Sequence, residues 1–228
     1  MYLDEVVTFF RLLADEPDQT FLPNSALIPI LKTAYFQYHR MITDISDSPF
    51  STTLDIAAPT QDIDLTLAPN NILGVAPFAA NKRMDRLNSV SAVTISGINT
   101  AYTNVFTSAG SITEFGGSRK FLYILQDKKL KFNTAINASL PTLQLNYTYF
   151  PNIDFNKITP GDNEVIDEFA QFHDVISLLM YKMYAIKDVA VNIPMENQLI
   201  IRSIDLKSFF EQGQNFSGNQ YVSSTYRR

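Results

Sequence analysis

The sequence predicts an α+β fold in which two N-terminal and two C-terminal helices form a helical bundle that an antiparallel β insertion interrupts. Apolar residues recur at helical spacing near both ends of the 228-residue chain, whereas between about Thr52 and Asn156 they alternate with a period of two. The predicted domains are residues 1–50 and 157–213 for the helical bundle, 51–156 for the β insertion and 214–228 for an extended C-terminal arm.

The two N-terminal helices follow from two apolar stripes. These are Leu3, Val6, Val7, Phe10 and Leu13, and then Leu27, Ile30, Leu31, Ala34, Tyr35, Tyr38, Met41, Ile42 and Ile45. Pro17 and the acids beside it end the first helix. Asn24 or Ser25 is expected to cap the second helix, which places Pro29 in the first turn, where its missing N–H needs no partner.

The central region has the alternation that is typical of short strands between turns. The predicted strands are Thr53 to Ile56, Asp62 to Leu67, Val90 to Ile95, Ala101 to Phe106, Lys120 to Leu125, Leu130 to Phe132 and Thr142 to Phe150. The clearest unit is a β-hairpin, because two of these strands flank the polar turn Gln126-Asp127-Lys128-Lys129.

Helical spacing returns in the C-terminal part of the chain. Thr159 as cap and Pro160 at the first helical position predict a third helix, which runs to about Lys187. Its stripe is Val165, Phe169, Phe172, Ile176, Leu179, Met180 and Met183. A fourth helix is expected over about 195–212, and Gly213 is expected to end it. Its inward side chains are expected to be Leu199, Ile200, Ile204 and Phe209.

Composition and charge argue against several classes of protein. The net charge of −5 disfavours a broad nucleic-acid surface, because phosphate binding needs clustered Lys and Arg, but it allows a channel through which DNA slides. The chain has no cysteine, which excludes disulfides, thiolate nucleophiles and Cys-based metal sites. An acidic N-terminus and the lack of a run of about 20 apolar residues predict no export and no membrane span. We expect a protein made in the cytoplasm.

Few residues are candidates for chemistry. Histidine occurs only at His39, expected in an exposed polar stretch, and at His173, expected beside the core stripe. Asp62 and Asp64 share one face of a strand and imitate a two-carboxylate site, although alternation with Ile63 favours a solvated face. No catalytic motif or metal-ligand spacing accompanies them, so we expect no enzyme activity, no cofactor and no metal ion.

Two other patterns have both a functional and a structural interpretation. The segment Gly116 to Lys120 is glycine-rich and basic like a phosphate loop, but it precedes a strand, which favours a plain turn. An aromatic run can stack on single-stranded nucleic acid, but the nearby lysines gather at the hairpin turn, which favours sheet core or a protein contact. This run is Phe121, Tyr123, Phe132, Tyr147, Tyr149 and Phe150.

The C-terminal arm is rich in Gln, Asn, Ser and Gly, and it is expected to stay extended unless a partner orders it. The predicted partner-binding residues are Phe216, Tyr221, Tyr226, Arg227 and Arg228. A frayed terminus without function fits the same composition equally well.

Three stretches give the chain a recognisable order of elements. They are Val6 to Pro17 with Phe21, Asn24 to Leu27 and Leu31 to Tyr38; Phe121 to Phe132 with Leu143 to Pro151; and Ile158-Thr159-Pro160. They correspond to a short helix before an Asp-rich turn and a second helix, then a hairpin and a strand ending in an aromatic-Pro step, then a return to helix. This order resembles the adaptor family of tailed bacteriophages, the head-to-tail connector proteins that form a ring under the portal. The stretch from Pro69 to Thr113 matches nothing in that pattern.

The resemblance implies a virion structural protein of the neck that assembles as a homo-oligomeric, dodecameric ring. Such a ring contacts the portal protein on one side and tail or other neck proteins on the other, and DNA passes through its channel without specific binding. The competing hypothesis is a carbohydrate or host-surface binding module of a phage particle, in which the β insertion presents its aromatic residues to a ligand.

Overall fold

The chain is a mixed α+β protein, and its computed structural model describes residues 2–15, 22–57, 62–79, 82–93, 99–104, 122–132, 142–185 and 193–225. In this part of the chain the helices are α1 (Leu3–Leu13), α2 (Asn24–Thr43), α3 (Asp174–Ala185) and α4 (Ile193–Thr225). The strands are β1 (Ser51–Ala57), β2 (Asp62–Asp64), β3 (Arg83–Val93), β4 (Asn99–Asn104), β5 (Leu122–Gln126), β6 (Lys129–Phe132) and β7 (Thr142–Phe150). The α+β class that the sequence predicts is confirmed.

The chain divides into two compact units. The helical unit is Met1–Pro49 together with Ile153–Arg228, and the β unit is Phe50–Asn152. Within the helical unit, α3 contacts α1, α2 and α4, so it lies at the centre of this unit. Ser177 of α3 donates a hydrogen bond of 2.9 Å from its Oγ to the backbone oxygen of Val6, which satisfies this hydroxyl inside the core.

The predicted first helix is confirmed in its bounds and its buried face. The buried apolar side chains of α1 are Leu3, Val6, Val7 and Phe10. The backbone N–H of Tyr2 donates to Glu5 Oε2 at 2.6 Å, which satisfies a donor that the helix start leaves open. Arg11 is buried and donates to the backbone oxygen of Leu22 at 2.7 Å and to Asn24 Oδ1 at 2.9 Å, so it ties the end of α1 to the start of α2.

The second helix begins earlier than the sequence pattern predicted. Its first residue is Asn24 and Pro23 occupies the N-cap, so neither Asn24 nor Ser25 caps it. Pro29 therefore lies inside α2 and not in its first turn, and the helix lacks one internal hydrogen bond there because proline has no N–H. The predicted stripe is confirmed at Leu27, Leu31, Ala34, Tyr35, Tyr38 and Ile42, which are all buried.

The prediction that the third helix begins at Pro160, with Thr159 as its cap, is wrong. Gly161 has a φ of 96° and Asn163 a φ of 52°, and a right-handed helix allows neither value. Asp4 Oδ2 accepts a hydrogen bond of 3.0 Å from the backbone N–H of Gly161, which holds this segment as a turn against α1. α3 begins only at Asp174.

The fourth helix is longer than predicted. Gly213 does not end α4, which continues to Thr225 and comprises 33 residues. A helix of this length spans about 50 Å at a rise of about 1.5 Å per residue. The expectation of an extended arm over residues 214–228 is therefore wrong as far as Thr225, and residues 226–228 lie outside the described part of the chain.

The strands of the β unit lie side by side in the order β1-β7-β3-β4-β5-β6-β2. β1, β7, β3 and β4 form one small antiparallel sheet, and β5, β6 and β2 form another. The two sheets meet at a short parallel pairing, in which Thr103 lies opposite Leu122 and Asn104 opposite Tyr123. The predicted bounds of the last strand, Thr142–Phe150, are confirmed by β7.

The predicted hairpin is confirmed. β5 and β6 pair antiparallel, with Gln126 opposite Lys129. Asp127 and Lys128 connect them with φ values of 52° and 62°. Positive φ at both residues is typical of a type I′ turn, whose twist matches that of the flanking strands.

Other strands differ from their predicted bounds. β3 begins at Arg83 and not at Val90. β2 ends at Asp64, although the alternation continues to Leu67, because the Asp64 side chain turns the chain. Asp64 Oδ1 accepts hydrogen bonds from the backbone N–H of Thr66 at 2.9 Å and from its Oγ1 at 2.6 Å.

The loop after Pro69 is organised by one amide side chain. Asn71 donates from Nδ2 to the backbone oxygens of Val75 at 2.6 Å and Pro77 at 2.8 Å, and its Oδ1 accepts from the Gly74 N–H at 2.9 Å. Any larger residue at Gly74 would place its Cβ 2.5 Å from that same Oδ1. The loop packs beside a core made of Ile56, Ile63, Leu65, Ile72, Met84, Val90, Tyr123, Leu130, Phe132, Leu143, Leu145 and Tyr147.

Candidate assembly surface

One face of α4 packs on the helical unit. Its buried side chains in the described part are Leu199, Leu206 and Phe210. The ring of Phe210 lies 5.1 Å from that of Phe169 and 6.4 Å from that of Phe172, between ring centroids. This aromatic cluster fixes which side of α4 faces α3.

Arg202 adds a polar link between the same two helices. Its Nε donates to Asp174 Oδ2 at 2.6 Å and its Nη2 donates to Asp174 Oδ1 at 2.9 Å, while Nη2 also reaches the backbone oxygen of Gln171. The guanidinium lies 5.5 Å from the centroid of the Phe172 ring. The hydrogen bonds to Asp174 raise the pKa of Arg202 above its usual value. Since Asp174 is the first residue of α3, the link also places a negative charge at a helix N-terminus, where it is favourable.

A second face of α4 is apolar and exposed. Ile193, Ile200, Ile201 and Ile204 are 64%, 56%, 58% and 57% exposed, and we call these four residues the isoleucine stripe. Ile193, Ile200 and Ile204 stand seven and four residues apart, so they lie along one line of the helix. Four large apolar side chains on one exposed helix face are typical of a surface that another chain covers.

The stripe corrects a prediction. Ile200, Ile204 and Phe209 were expected to point inward, but all three are exposed, Phe209 to 47%. Phe209 still meets the cluster, since its ring centroid lies 5.3 Å from that of Phe172. Ile200 and Ile204 point outward because Asp174 and the phenylalanine cluster bind Arg202 and Phe210 on a different side of the helix. Sequence reasoning also passed over Ile193 and Ile201, although their spacing from Ile200 and Ile204 was visible in the sequence.

Acidic residues flank the stripe on opposite sides of α4, because the nine residues from Glu196 to Asp205 turn the helix by about 180°. Glu196 lies one helical turn before Ile200, and Asp205 lies one turn after Ile201. Glu196 is exposed, and the side chain of Asp205 is 52% exposed and lies 3.4 Å from Arg202 Nη1. The exposed apolar surface is therefore bounded by negative charge.

A groove of about 580 Å³ runs between the end of α2 and α4. It is lined by Met41, Asp44, Ile45, Ser203, Leu206, Lys207 and Glu211. Lys207 and Glu211 form a surface ion pair of 3.7 Å along α4. The groove mixes apolar and charged side chains of both signs, so its lining does not select one class of ligand.

α2 presents a basic face to solvent, which we define as Lys32, Phe36 and Arg40. All three are exposed, Phe36 to 43%, and they stand four residues apart on one line of the helix. Phe36 contacts the ring of Phe155 at 6.5 Å, and Lys32 Nζ lies 5.8 Å from the centroid of that ring. Sequence reasoning did not single out this face, because its one aromatic residue lies between polar residues.

The predicted partner-binding residues lie beyond Gln212, where the structure describes no side chains. Phe216 and Tyr221 belong to the C-terminal part of α4. Tyr226, Arg227 and Arg228 lie outside the described residues. Their role in binding stays a prediction.

Both histidines lie in the core of the helical unit. His39 is fully buried beside Tyr35, with ring centroids 6.4 Å apart, so its expected place in an exposed stretch is wrong. The reason is that His39 falls on the inward side of α2, one residue after Tyr38. His173 is also fully buried, and its Nε2 lies 2.6 Å from Asp167 Oδ1.

The His173 environment is closed to solvent. Asp167 is 5% exposed, and its Oδ1 also accepts a hydrogen bond of 2.8 Å from the backbone N–H of Phe169. The ring of Tyr38 meets that of His173 edge-on at 6.1 Å. Burial, and then the negative Asp167, raise the pKa of Tyr38. The pair of His173 and Asp167 is therefore enclosed in the core of the helical unit.

The acidic pair on β2 has a structural role. Ile63 between the two acids is buried at 4%, which confirms the predicted outward face. The hydrogen bonds from Thr66, followed by the nearby Lys129, hold the pKa of Asp64 below its usual value. Across the part of the chain that the structure describes, no three His, Cys, Asp or Glu side chains gather as metal ligands would.

The aromatic run is mainly core, as the sequence analysis favoured. Tyr123, Phe132 and Tyr147 are buried, and Tyr149 is partly buried and meets Phe50 edge-on at 6.0 Å. Phe121 lies outside the described residues, as does the glycine-rich segment 116–120. The rings described here as buried are not available to stack on a base or a sugar.

No known protein-family model matches the chain, and no curated protein matches it. Within the described ranges, none of the helices combines the length and apolar character needed to cross a bilayer.

Proposed function

We propose that this chain is a virion structural protein, an adaptor subunit of the head-to-tail connector of a tailed bacteriophage. In this role copies of the chain form a ring beneath the portal, join the capsid to the tail and leave a channel for DNA. The observation that carries the proposal is the isoleucine stripe on α4, because four isoleucines that are more than half exposed favour a subunit whose surface is covered on assembly.

The proposed architecture is a helical bundle interrupted by a β insertion. α1 and α2 come before the β unit in the chain, and α3 and α4 come after it. This is the order of elements on which the resemblance to the adaptor family rests. The net charge of −5 suits a channel that lets DNA pass, since a strongly basic wall would retain it.

The proposed role is not enzymatic. His173 lies 2.6 Å from the carboxylate of Asp167, and burial closes this pair to solvent. Asp64 is engaged by Thr66 and Lys129 and so is committed to a turn. Both observations favour structural assignments for the groups that looked most like catalytic residues.

The test is the mass of the purified chain, alone and mixed with the portal protein of the same phage. Light scattering gives the subunit number, and negative-stain microscopy shows whether a ring is present. A ring of about a dozen subunits, formed alone or on the portal, supports the proposal. A monomer that does not bind the portal contradicts it and favours the carbohydrate or host-surface binding module.

A pair of variants connects this test to the stripe. Ile200→Glu combined with Ile204→Glu places two charges on the exposed apolar face, and we expect it to abolish the ring while the far-UV circular dichroism stays unchanged. Val165→Glu is the matched control, because Val165 is 63% exposed in the helical unit and lies outside the stripe. Rings of normal size from the isoleucine variant would show that the stripe plays no part in assembly.

A further inference from the structure

We propose that the isoleucine stripe of α4 binds the basic face of α2 on the next copy of this chain. The interface is then head-to-tail, and repetition of it closes a ring. This inference rests on the proposed function, since it names the contact between neighbouring subunits of the proposed ring. The partner that covers the stripe is therefore a second copy of this chain.

The two faces have matching patterns. On α4, Glu196 stands four residues before Ile200, and Asp205 stands four residues after Ile201. On α2, Lys32 and Arg40 stand four residues before and after Phe36. At about 1.5 Å of rise per residue, the acids are about 13.5 Å apart along their axis and the bases about 12 Å apart along theirs. Glu196 and Asp205 also lie on opposite flanks of the stripe, about 180° apart around the axis of α4. When the two helices cross at an angle, Phe36 can therefore pack on the isoleucines while each base reaches the acid on one flank.

The charges of the two helices are complementary. Between Asn24 and Thr43, α2 contains Lys32 and Arg40 and no acidic residue. Over 193–212, α4 contains the acids Glu196, Asp205 and Glu211 and the bases Arg202 and Lys207. Arg202 is bound to Asp174 of its own chain and also lies 3.4 Å from Asp205, whose side chain is 52% exposed, and Lys207 pairs with Glu211. Opposite charges at the rim of an apolar contact fix the register and exclude wrong partners.

Self-pairing of the stripe is disfavoured by the same charges. A two-fold contact between two stripes brings Glu196 and Asp205 of one copy toward the same acids of the other, which is repulsive. A head-to-tail contact instead places acids against bases. Stripe and basic face lie on different helices, so one copy can use both surfaces at once, as a ring requires.

The basic face is open to a neighbour because it points away from α4 of its own chain. Met41 and Ile45 line the groove against α4. Phe36 and Met41 are five residues apart, which is about 140° around a helix axis. Phe36 faces Phe155 instead, on another side of α2.

Engineered cysteines test the contact directly, because the chain has none of its own. Ile200→Cys and Phe36→Cys are made as separate variants, mixed and oxidised mildly under the conditions in which rings are observed. We expect disulfide-linked dimers in the mixture, and a ladder of higher oligomers from the chain that carries both changes. The pair of Val165→Cys and Phe36→Cys is the control and should give no dimers above background. Dimers of Ile200→Cys with itself would overturn the head-to-tail arrangement.

Charge reversal provides a second test. Lys32→Glu with Arg40→Glu is expected to raise the concentration needed for half-assembly at least tenfold, and Glu196→Lys with Asp205→Lys in the same chain is expected to restore it. Lys128→Glu with Lys182→Glu changes the net charge equally at other exposed lysines and should leave assembly unchanged. Failure of the compensating pair to restore assembly would overturn the assignment of these contacts.

The outcomes separate this inference from the proposed function. Rings that bind the portal without any link between positions 200 and 36 leave the function standing and overturn the inference. Rings that show the link but do not bind the portal leave the interface standing and overturn the adaptor role. A chain that stays monomeric with and without the portal overturns both.

Discussion

Arg202 binds both carboxylate oxygens of Asp174, with hydrogen bonds of 2.6 and 2.9 Å, and so joins the N-terminal third of α4 to the first residue of α3. Arg202→Ala leaves a partly buried carboxylate without its charged partner. We expect the free energy of unfolding to fall by about 2 kcal/mol and the midpoint of thermal unfolding to fall by about 4–8 °C.

The control for this variant is Lys207→Ala, which removes an exposed ion pair from the same helix. Such pairs contribute about 0–1 kcal/mol, so the melting temperature should hardly change. Equal melting temperatures for the two variants, measured by circular dichroism, would contradict the role given to Arg202.

The orientation of α4 is tested by Leu206→Ala and Ile200→Ala. Leu206 is fully buried, so its truncation leaves a cavity and should lower the free energy of unfolding by about 2–5 kcal/mol. Ile200 is 56% exposed, and its truncation should change the stability of the monomer by less than about 0.5 kcal/mol. Urea denaturation at a concentration where the chain is monomeric checks both, and a reversed order would mean that the two faces had been exchanged.

The buried pair of His173 and Asp167 should be energetically coupled. His173→Phe removes the nitrogen that lies 2.6 Å from the carboxylate, and we expect a loss of about 1–3 kcal/mol. Asp167→Asn and the double variant complete a double-mutant cycle. A coupling energy above about 1 kcal/mol supports a direct interaction, whereas additive effects argue that each residue acts only through its own packing.

The hairpin turn should respond to the residue at position 128. Lys128 has a φ of 62°, which glycine adopts without strain and a β-branched residue avoids. Lys128→Gly should raise the free energy of unfolding by about 0.5 kcal/mol, and Lys128→Val should lower it by about 1–2 kcal/mol. The difference between the two variants, read from thermal melts, is the informative quantity, and a more stable valine variant would exclude the type I′ turn.

Asp64 should contribute stability that depends on pH. Its pKa is lower in the folded chain than the ordinary 3.8, chiefly because it accepts hydrogen bonds from Thr66. A carboxylate of this kind stabilises the fold above the unfolded pKa, and the contribution is lost as the pH falls through the folded pKa. Asp64→Asn should therefore melt at a lower temperature than the parent chain at pH 7, and the gap should narrow below about pH 4.

The control for Asp64→Asn is a variant of an exposed carboxylate in the same β unit. Asp85 lies on β3 with its side chain exposed, so Asp85→Asn should melt close to the parent chain at every pH. If the difference in melting temperature between Asp64→Asn and the parent chain stays constant down to pH 2.5, the hydrogen bonds from the Thr66 hydroxyl and N–H do not depend on ionisation of Asp64.

Elements whose signals are local were predicted well. α1 follows from five apolar positions and a stop at the acidic Pro17 region, and both its bounds are confirmed. The hairpin follows from two alternating strands around Asp127-Lys128, and β7 from one strongly alternating segment. For α1 and the hairpin, a few neighbouring residues contain the information, because their hydrogen bonds join residues close in sequence. β7 pairs with the distant strands β1 and β3, and it was recognised from its own alternation.

Elements that distant residues decide were predicted poorly. Thr159 and Pro160 imitate a helix start, but Asp4, from the other end of the chain, accepts the Gly161 N–H and holds a turn there. A competing side chain can also be near: the strand that begins at Asp62 alternates as far as Leu67, but Asp64 accepts the N–H of Thr66, two residues on, and ends the strand early. A pattern of apolar residues does not reveal such competing hydrogen bonds.

The candidate surface shows where the information in the sequence ends. The sequence alone determined that 195–212 is helical and that isoleucine, leucine and phenylalanine dominate it. The sequence contains two apolar stripes of identical spacing, with steps of seven and four residues. One is Ile193, Ile200 and Ile204, and the other is Leu199, Leu206 and Phe210. Helical periodicity cannot rank them, because either one fits a core. Only the tertiary structure decided which stripe is buried. Asp174 binds Arg202 and the ring of Phe169 packs on that of Phe210, and these contacts turn the isoleucines outward.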